Sequence, residues 1–165
     1  MILVRIAALS VDATSNQPVI ILRPLDEEGS SARLLPIWIG HSEAASILIA
    51  LQNIESPRPM THDLLQNIIA TLGQTVDRVE ITRLDGGTFY ASVILGSEGT
   101  SLTVDARPSD SIALAVRTGS PIYVAEEVFT EASIIADQLQ EMDEEAQVKE
   151  FRAFLDDVDP SDFQG

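Results

Sequence analysis

Asp105-Ala106-Arg107-Pro108-Ser109-Asp110-Ser111-Ile112-Ala113-Leu114 reads as a strand that turns into a helix at one proline. Pro108 biases Arg107 toward extended backbone, so the arginine sits at the strand's exit. Ser109 and Asp110 then fall where free backbone N–H groups and the positive end of the helix dipole favour hydroxyls and carboxylates. A second block, Arg58-Pro59-Met60-Thr61-His62-Asp63-Leu64-Leu65, repeats the arrangement. Thr61 is the expected cap there, with Asp63 complementing the dipole.

The flanking residues place both blocks in an α+β fold. Upstream of the first helices, Val4, Ile6 and Ala8 alternate with Arg5, Ala7 and Leu9, and Val19-Ile20-Ile21-Leu22 reads as a strand buried on both sides. Leu34–Ile39 makes a third strand, where Pro36 demands an edge or a bulge. A helix follows Gly40, with Ile47, Leu48, Leu51 and Ile54 on one face. The helix after Thr61 places Leu64, Leu65, Ile68, Ile69 and Leu72 on one side, and Gly73 marks its end. Three more strands surround the turns Asp85-Gly86-Gly87 and 96–99, ending with Leu102, Val104 and Ala106. A helix from about Ser109 to Thr118 and a short strand, Pro121–Val124, complete the pattern. The expectation is two sets of about three mostly antiparallel strands, each followed by helix.

Residues 1–135 form the expected domain; 136–165 read as an acidic linker and a C-terminal amphipathic helix. Val148, Phe151, Phe154, Leu155 and Val158 make that helix's apolar stripe. Two roles stand open for it: docking on the body or a partner subunit, or serving as a protein-interaction tail. The strand edge near Pro36 and this stripe together suggest a homo-oligomer, most simply a dimer.

Composition narrows the chemistry. The chain has 165 residues, a net charge of −16 and no cysteine. Disulfides, thiolate zinc sites and cysteine nucleophiles are therefore excluded, in keeping with a cytoplasmic protein. No apolar run is long enough to cross a bilayer, so no membrane association is expected. Lys149 is the only lysine, which removes a P-loop. Residues 126–165 hold 13 acids against two bases. Such a chain is not drawn onto nucleic acid by long-range steering, so any contact with RNA or DNA must use a local arginine cluster.

The motifs of serine-hydrolase elbows, zinc proteases, EF-hands and dinucleotide-binding loops are all missing. No organic cofactor is expected. Carboxylate and arginine chemistry remains, with His41 and His62. His62 is a candidate general base. Asp105 and Asp110, with Asp63 or Glu43, are candidate ligands for Mg²⁺ or Mn²⁺. Arg58, Arg107 and Ser109 are candidate phosphate contacts. The same side chains have a purely structural account: Glu43 and Asp63 as helix-end groups, and Asp105 or Asp110 salt-bridged to Arg107 or Arg58.

Leu35-Pro36-Ile37-Trp38-Ile39-Gly40-His41-Ser42-Glu43-Ala44, the Arg58 block, Asp85-Gly86-Gly87-Thr88-Phe89-Tyr90-Ala91 and the Arg107 block together resemble the bifunctional nuclease family, in order and at matching spacing. The tail resembles that of actinobacterial members. His62, Asp63, Arg107, Ser109 and Asp110 match the family's motif positions. The resemblance implies hydrolysis of RNA and DNA. Two functions follow as expectations: a metal-assisted phosphodiesterase, or a non-catalytic oligomeric binding and regulatory module using the same residues as caps and salt bridges.

Overall fold

A computed structural model describes residues 1–136 except 13, 14, 30 and 98. Strands β1 (Ile2–Asp12), β2 (Gln17–Pro24) and β3 (Arg33–Trp38) lead into helices α1 (His41–Leu51) and α2 (Thr61–Thr71). Strands β4 (Thr75–Asp85), β5 (Thr88–Ser97) and β6 (Thr100–Ala106) then lead into helix α3 (Pro108–Thr118). A short strand β7 (Ile122–Val124), helix α4 (Glu126–Ala132) and strand β8 (Ile134–Ile135) follow.

All eight strands form one sheet in the order β6-β5-β4-β7-β1-β2-β3-β8. Each set of three strands is an antiparallel meander. β7 joins them, running antiparallel to β1 and parallel to β4. The expected α+β pattern with two strand sets is therefore the observed one. The C-terminal helix and acidic linker fall outside the described residues.

Burial explains the strand sequences. Ile20 and Leu22 face the helices, while Val19 and Ile21 face a smaller cluster on the other side with Leu34. That accounts for the continuous apolar run in β2. In β1 the alternation shifts phase: the pairing slips between Ile6 and Ala8. Ile2, Val4 and Ile6 face the main core before this bulge, Leu9 and Val11 after it. The extra residue turns the strand's odd positions inward. Pro36 lies opposite Ile21, while β8 pairs β3 only at Arg33 and Leu34. The proline therefore occupies a stretch with one strand neighbour, as a residue without a backbone donor requires.

One sequence expectation changes, and the end of the domain gains two elements. The strip of α2 read as apolar is mostly uncovered: Ile69 is buried, but Leu64, Leu65, Ile68 and Leu72 are exposed. Periodicity identifies an apolar side, not its cover, and α2 turns His62 and Ile69 inward instead. Residues 126–135, at the start of the acidic region, form α4 and β8 with Val128 and Phe129 fully buried. No helix among the described residues is long and apolar enough to span a membrane.

Candidate functional site

The first turns of α1, α2 and α3 meet over the sheet. Pro108 occupies the first helical turn of α3 and leaves Arg107 extended as its N-cap. Its side chain therefore extends from the strand-to-helix corner and not from the helix surface. The Arg107 guanidinium donates to both oxygens of Asp110, through Nε to Oδ2 at 2.7 Å and Nη2 to Oδ1 at 3.0 Å. The same Nη2 lies 2.9 Å from Oε1 of Glu43 on α1. These partners raise Arg107's pKa above its ordinary value. Its side chain is nonetheless 65% exposed.

Beneath it lies a buried chain of polar groups. Ser46 Oγ lies 2.8 Å from His62 Nδ1, and His62 Nε2 lies 3.1 Å from Asp110 Oδ1. Arg117 Nη2 donates to both the backbone carbonyl and Oγ of Ser46 at 3.2 and 3.1 Å. The ionised Asp110 carboxylate can only accept, so a neutral His62 ring faces it with Nε2–H and takes the Ser46 hydroxyl hydrogen at Nδ1. The ring proton is then on Nε2 and is donated to Asp110. Arg117 Nε also donates to Asp63 Oδ1 at 2.6 Å, and Nη1 to the Ala113 carbonyl at 3.0 Å. Glu43, Arg107, Asp110, His62, Ser46, Arg117 and Asp63 thus form one connected network across three helices.

The structure corrects the capping roles. The N-caps are Gly40, Met60 and Arg107, and none makes a side-chain cap hydrogen bond. Thr61 is the first helical residue and not the cap. Asp63 instead accepts from the Met60 N–H at 2.9 Å, a carboxylate reaching back over the helix start. His62 is 8% exposed, because α2 presses it into the groove between Ser46 of α1 and Asp110 of α3.

The remaining candidates divide. Ser109 is buried in the first turn of α3. Arg58 is exposed and makes no ion pair among the described residues. Asp105 is exposed on β6 and has no hydrogen-bond or ion-pair partner among them. Glu43 and Asp110 converge on one point, the Arg107 guanidinium, and Asp105 does not join them. Among the described residues no three ligand-type side chains gather around a common centre. Ser46 and Arg117 were missed by sequence reasoning. The available signal was a serine facing inward beside Ala44 and Ile47, since a buried hydroxyl needs a partner.

Burial pushes the Asp110 and Asp63 carboxyls up, but hydrogen bonds outweigh it and hold both below their ordinary value of 3.8. Arg107 and His62 supply them for Asp110; Arg117 and the Met60 N–H supply them for Asp63. A lowered folded-state pKa contributes stability that is fully present above the unfolded value and lost as pH falls through the folded one. Urea midpoints should therefore fall as pH drops below about 4. Asp110→Asn should flatten that fall; an unchanged pH profile in this variant would remove Asp110 from the account.

Comparison with known proteins identifies the family. A protein-family model described as the bifunctional nuclease domain matches residues 20–137. An uncharacterized protein of Mycobacterium tuberculosis is 45% identical over 168 residues, covering 98% of this chain and 97% of its own length. Bifunctional nuclease 1 of Oryza sativa subsp. japonica is 33% identical over 103 residues, 61% of this chain and 31% of the rice protein. Bifunctional nuclease 2 of the same rice is 32% identical over 118 residues, 70% of this chain and 35% of its own length. The chain thus matches only about a third of each rice protein. By the family match over most of its length, this chain belongs to the bifunctional nuclease domain family.

Proposed function

We propose that this chain is a cytoplasmic, metal-assisted phosphodiester hydrolase acting on RNA, DNA or both, with Arg107 as its primary phosphate contact. One observation carries the reading: an exposed guanidinium at a strand-to-helix corner, backed by Glu43 and Asp110 and a buried histidine. A planar fork of this kind matches a phosphate's oxygens bidentately. Exposed Arg58, on the block that opens α2, is the second candidate contact. The names of the rice relatives support nuclease chemistry over other phosphate chemistry.

The donor set fits a divalent cation in part. When Arg107 turns to phosphate, Glu43 and Asp110 remain facing one another, and Mg²⁺ commonly binds one or two carboxylates together with substrate phosphate. Mg²⁺ or Mn²⁺ held there would activate water and neutralise charge developing on phosphorus. The chain's own contribution is positional. His62 donates from Nε2 to Asp110 and orients that carboxylate. Asp63 holds Arg117, which holds Ser46 beneath the histidine. A carboxylate freed from Arg107 would accept the attacking water's proton as the new P–O bond forms, and the leaving oxygen would take a proton from solvent as the old P–O bond breaks. The products are a phosphate monoester and an alcohol.

The saturation of the network favours a second reading, a non-catalytic binding and regulatory module in which these groups clasp three helices. Plasmid DNA and single-stranded RNA, incubated with purified protein and Mg²⁺, Mn²⁺ or EDTA, separate the two. Arg107→Ala should lower cleavage roughly a hundredfold or more while leaving the circular dichroism spectrum unchanged. Cleavage that persists in an Arg107→Ala, Asp110→Asn double variant sinks the hydrolase reading. Absence of cleavage in folded wild type with either metal favours the clasp.

A further inference from the structure

The outer side of α2 and the free edge of the sheet present a second surface outside the network. Leu64, Leu65, Ile68 and Leu72 are between 38% and 71% exposed on α2. At the sheet's edge, every residue from Thr100 to Asp105 in β6 is exposed, Leu102 and Val104 by nearly half. Both groups lie on the same side. Leu102 and Val104 stand opposite Leu95 and Val93 of β5, which belong to the core cluster that Ile69 of α2 joins. Yet none of the described helices covers them.

Charge separates this surface from the rest of the chain. Between Asp63 and Asp77, and from Gly99 to Val104, no residue is charged, although the protein carries a net charge of −16. Two copies of so acidic a chain repel one another over most orientations. Neutral apolar ground is where that repulsion is least, and it is also where burial gains most. β6 contributes a row of open backbone donors and acceptors that another strand can pair. The segment 148–158 carries further acids, Glu150, Asp156 and Asp157.

We propose that a second copy of this chain docks here, with β6 antiparallel to the partner's β6 and α2 packed on the partner's α2. The contact is isologous, so each patch meets its own image. Both elements are needed. An 11-residue helix is about 16 Å long and 10 Å wide, so two such faces fall well short of the roughly 1,000 Å² that a specific interface buries. The paired edges supply the remainder. The surface also abuts the network, since His62 lies in the first turn of α2 and Arg107 directly follows the last residue of β6.

Sedimentation velocity of the full chain tests this. Wild type should run at twice the monomer mass of 17.9 kDa at micromolar concentration. Leu64→Lys with Leu72→Lys on α2 should convert it to monomer, and so should Leu102→Lys with Val104→Lys on β6. Circular dichroism and the thermal midpoint identify any variant that fails to fold. The more exposed single change Leu72→Lys then replaces the α2 pair, and Leu102→Lys the β6 pair. A monomeric wild type overturns the proposal, as does a trimer or larger assembly. So does a folded variant of either surface that stays dimeric. A monomer would also be the outcome if residues 148–158 covered the patch.

Discussion

Arg117→Ala is expected to lower the unfolding free energy by about 3 kcal/mol, the scale for removing one partner of a buried ion pair. For a chain of this size that corresponds to a fall of roughly 6–12 °C in Tm. The Arg117 side chain is 6% exposed and binds four acceptors: Asp63, the Ser46 hydroxyl and carbonyl, and the Ala113 carbonyl. Truncation leaves Asp63 without its cation and Ser46 short of a donor, each of which carries its own desolvation cost. Asp63 is one-third exposed, so water recovers part of the loss and the lower end of the range applies. Lysine cannot repair the site, because a point charge cannot serve Asp63 and Ser46 together. Urea unfolding followed by circular dichroism measures the effect. A change below about 1 kcal/mol, the scale of one ordinary hydrogen bond, would show that the network does not hold the helices together.

Phe129→Ala should cost about 4 kcal/mol, near the middle of the range for deleting a fully buried ring. Phe129 is 0% exposed, beside Val128 at 2%, and the Arg33 guanidinium lies 5.2 Å from its ring centroid. Arg33 is itself fixed by Glu27, whose carboxylate accepts from its Nε at 2.9 Å and its backbone N–H at 2.8 Å. The substitution therefore opens a cavity and removes the face over which that cation sits. Chemical denaturation with an unchanged m-value would attribute the loss to packing. A near-neutral result would mean that α4 is not part of the cooperative unit.

These two residues mark the limits of reading the chain by eye. The strand-to-helix corner at Arg107 and the helix start at Met60 were legible because proline and periodicity act over a few residues. The buried run Val19–Leu22 was legible for the same reason. Arg117 drew no notice in the sequence, because its partners Asp63 and Ser46 lie 54 and 71 residues away. His62 and Asp110 were each singled out, yet their contact across 48 residues was not foreseen. Thr61 lost the cap because the helix already begins at Thr61, with Met60 as N-cap and Asp63 accepting from the Met60 N–H. Val128 and Phe129 fell inside the expected domain, but no helix was read there. Ala7 could not announce a bulge, since nothing in its own chemistry distinguishes it from an ordinary strand residue.

The placement of β7 has a consequence for how the chain is made. β1 gains β2 as a neighbour by Pro24, and β4 gains β5 by Ser97, but each keeps one bare edge. Both wait for Ile122–Val124, the three residues that pair with Ile2–Val4 on one side and Val79–Ile81 on the other. A nascent chain halted before them on the ribosome presents two open strand edges at once, the kind of surface that recruits neighbouring chains. Translation past Val124 closes both together, so the passage from sticky intermediate to sealed sheet is governed by a single tripeptide near the end of the domain.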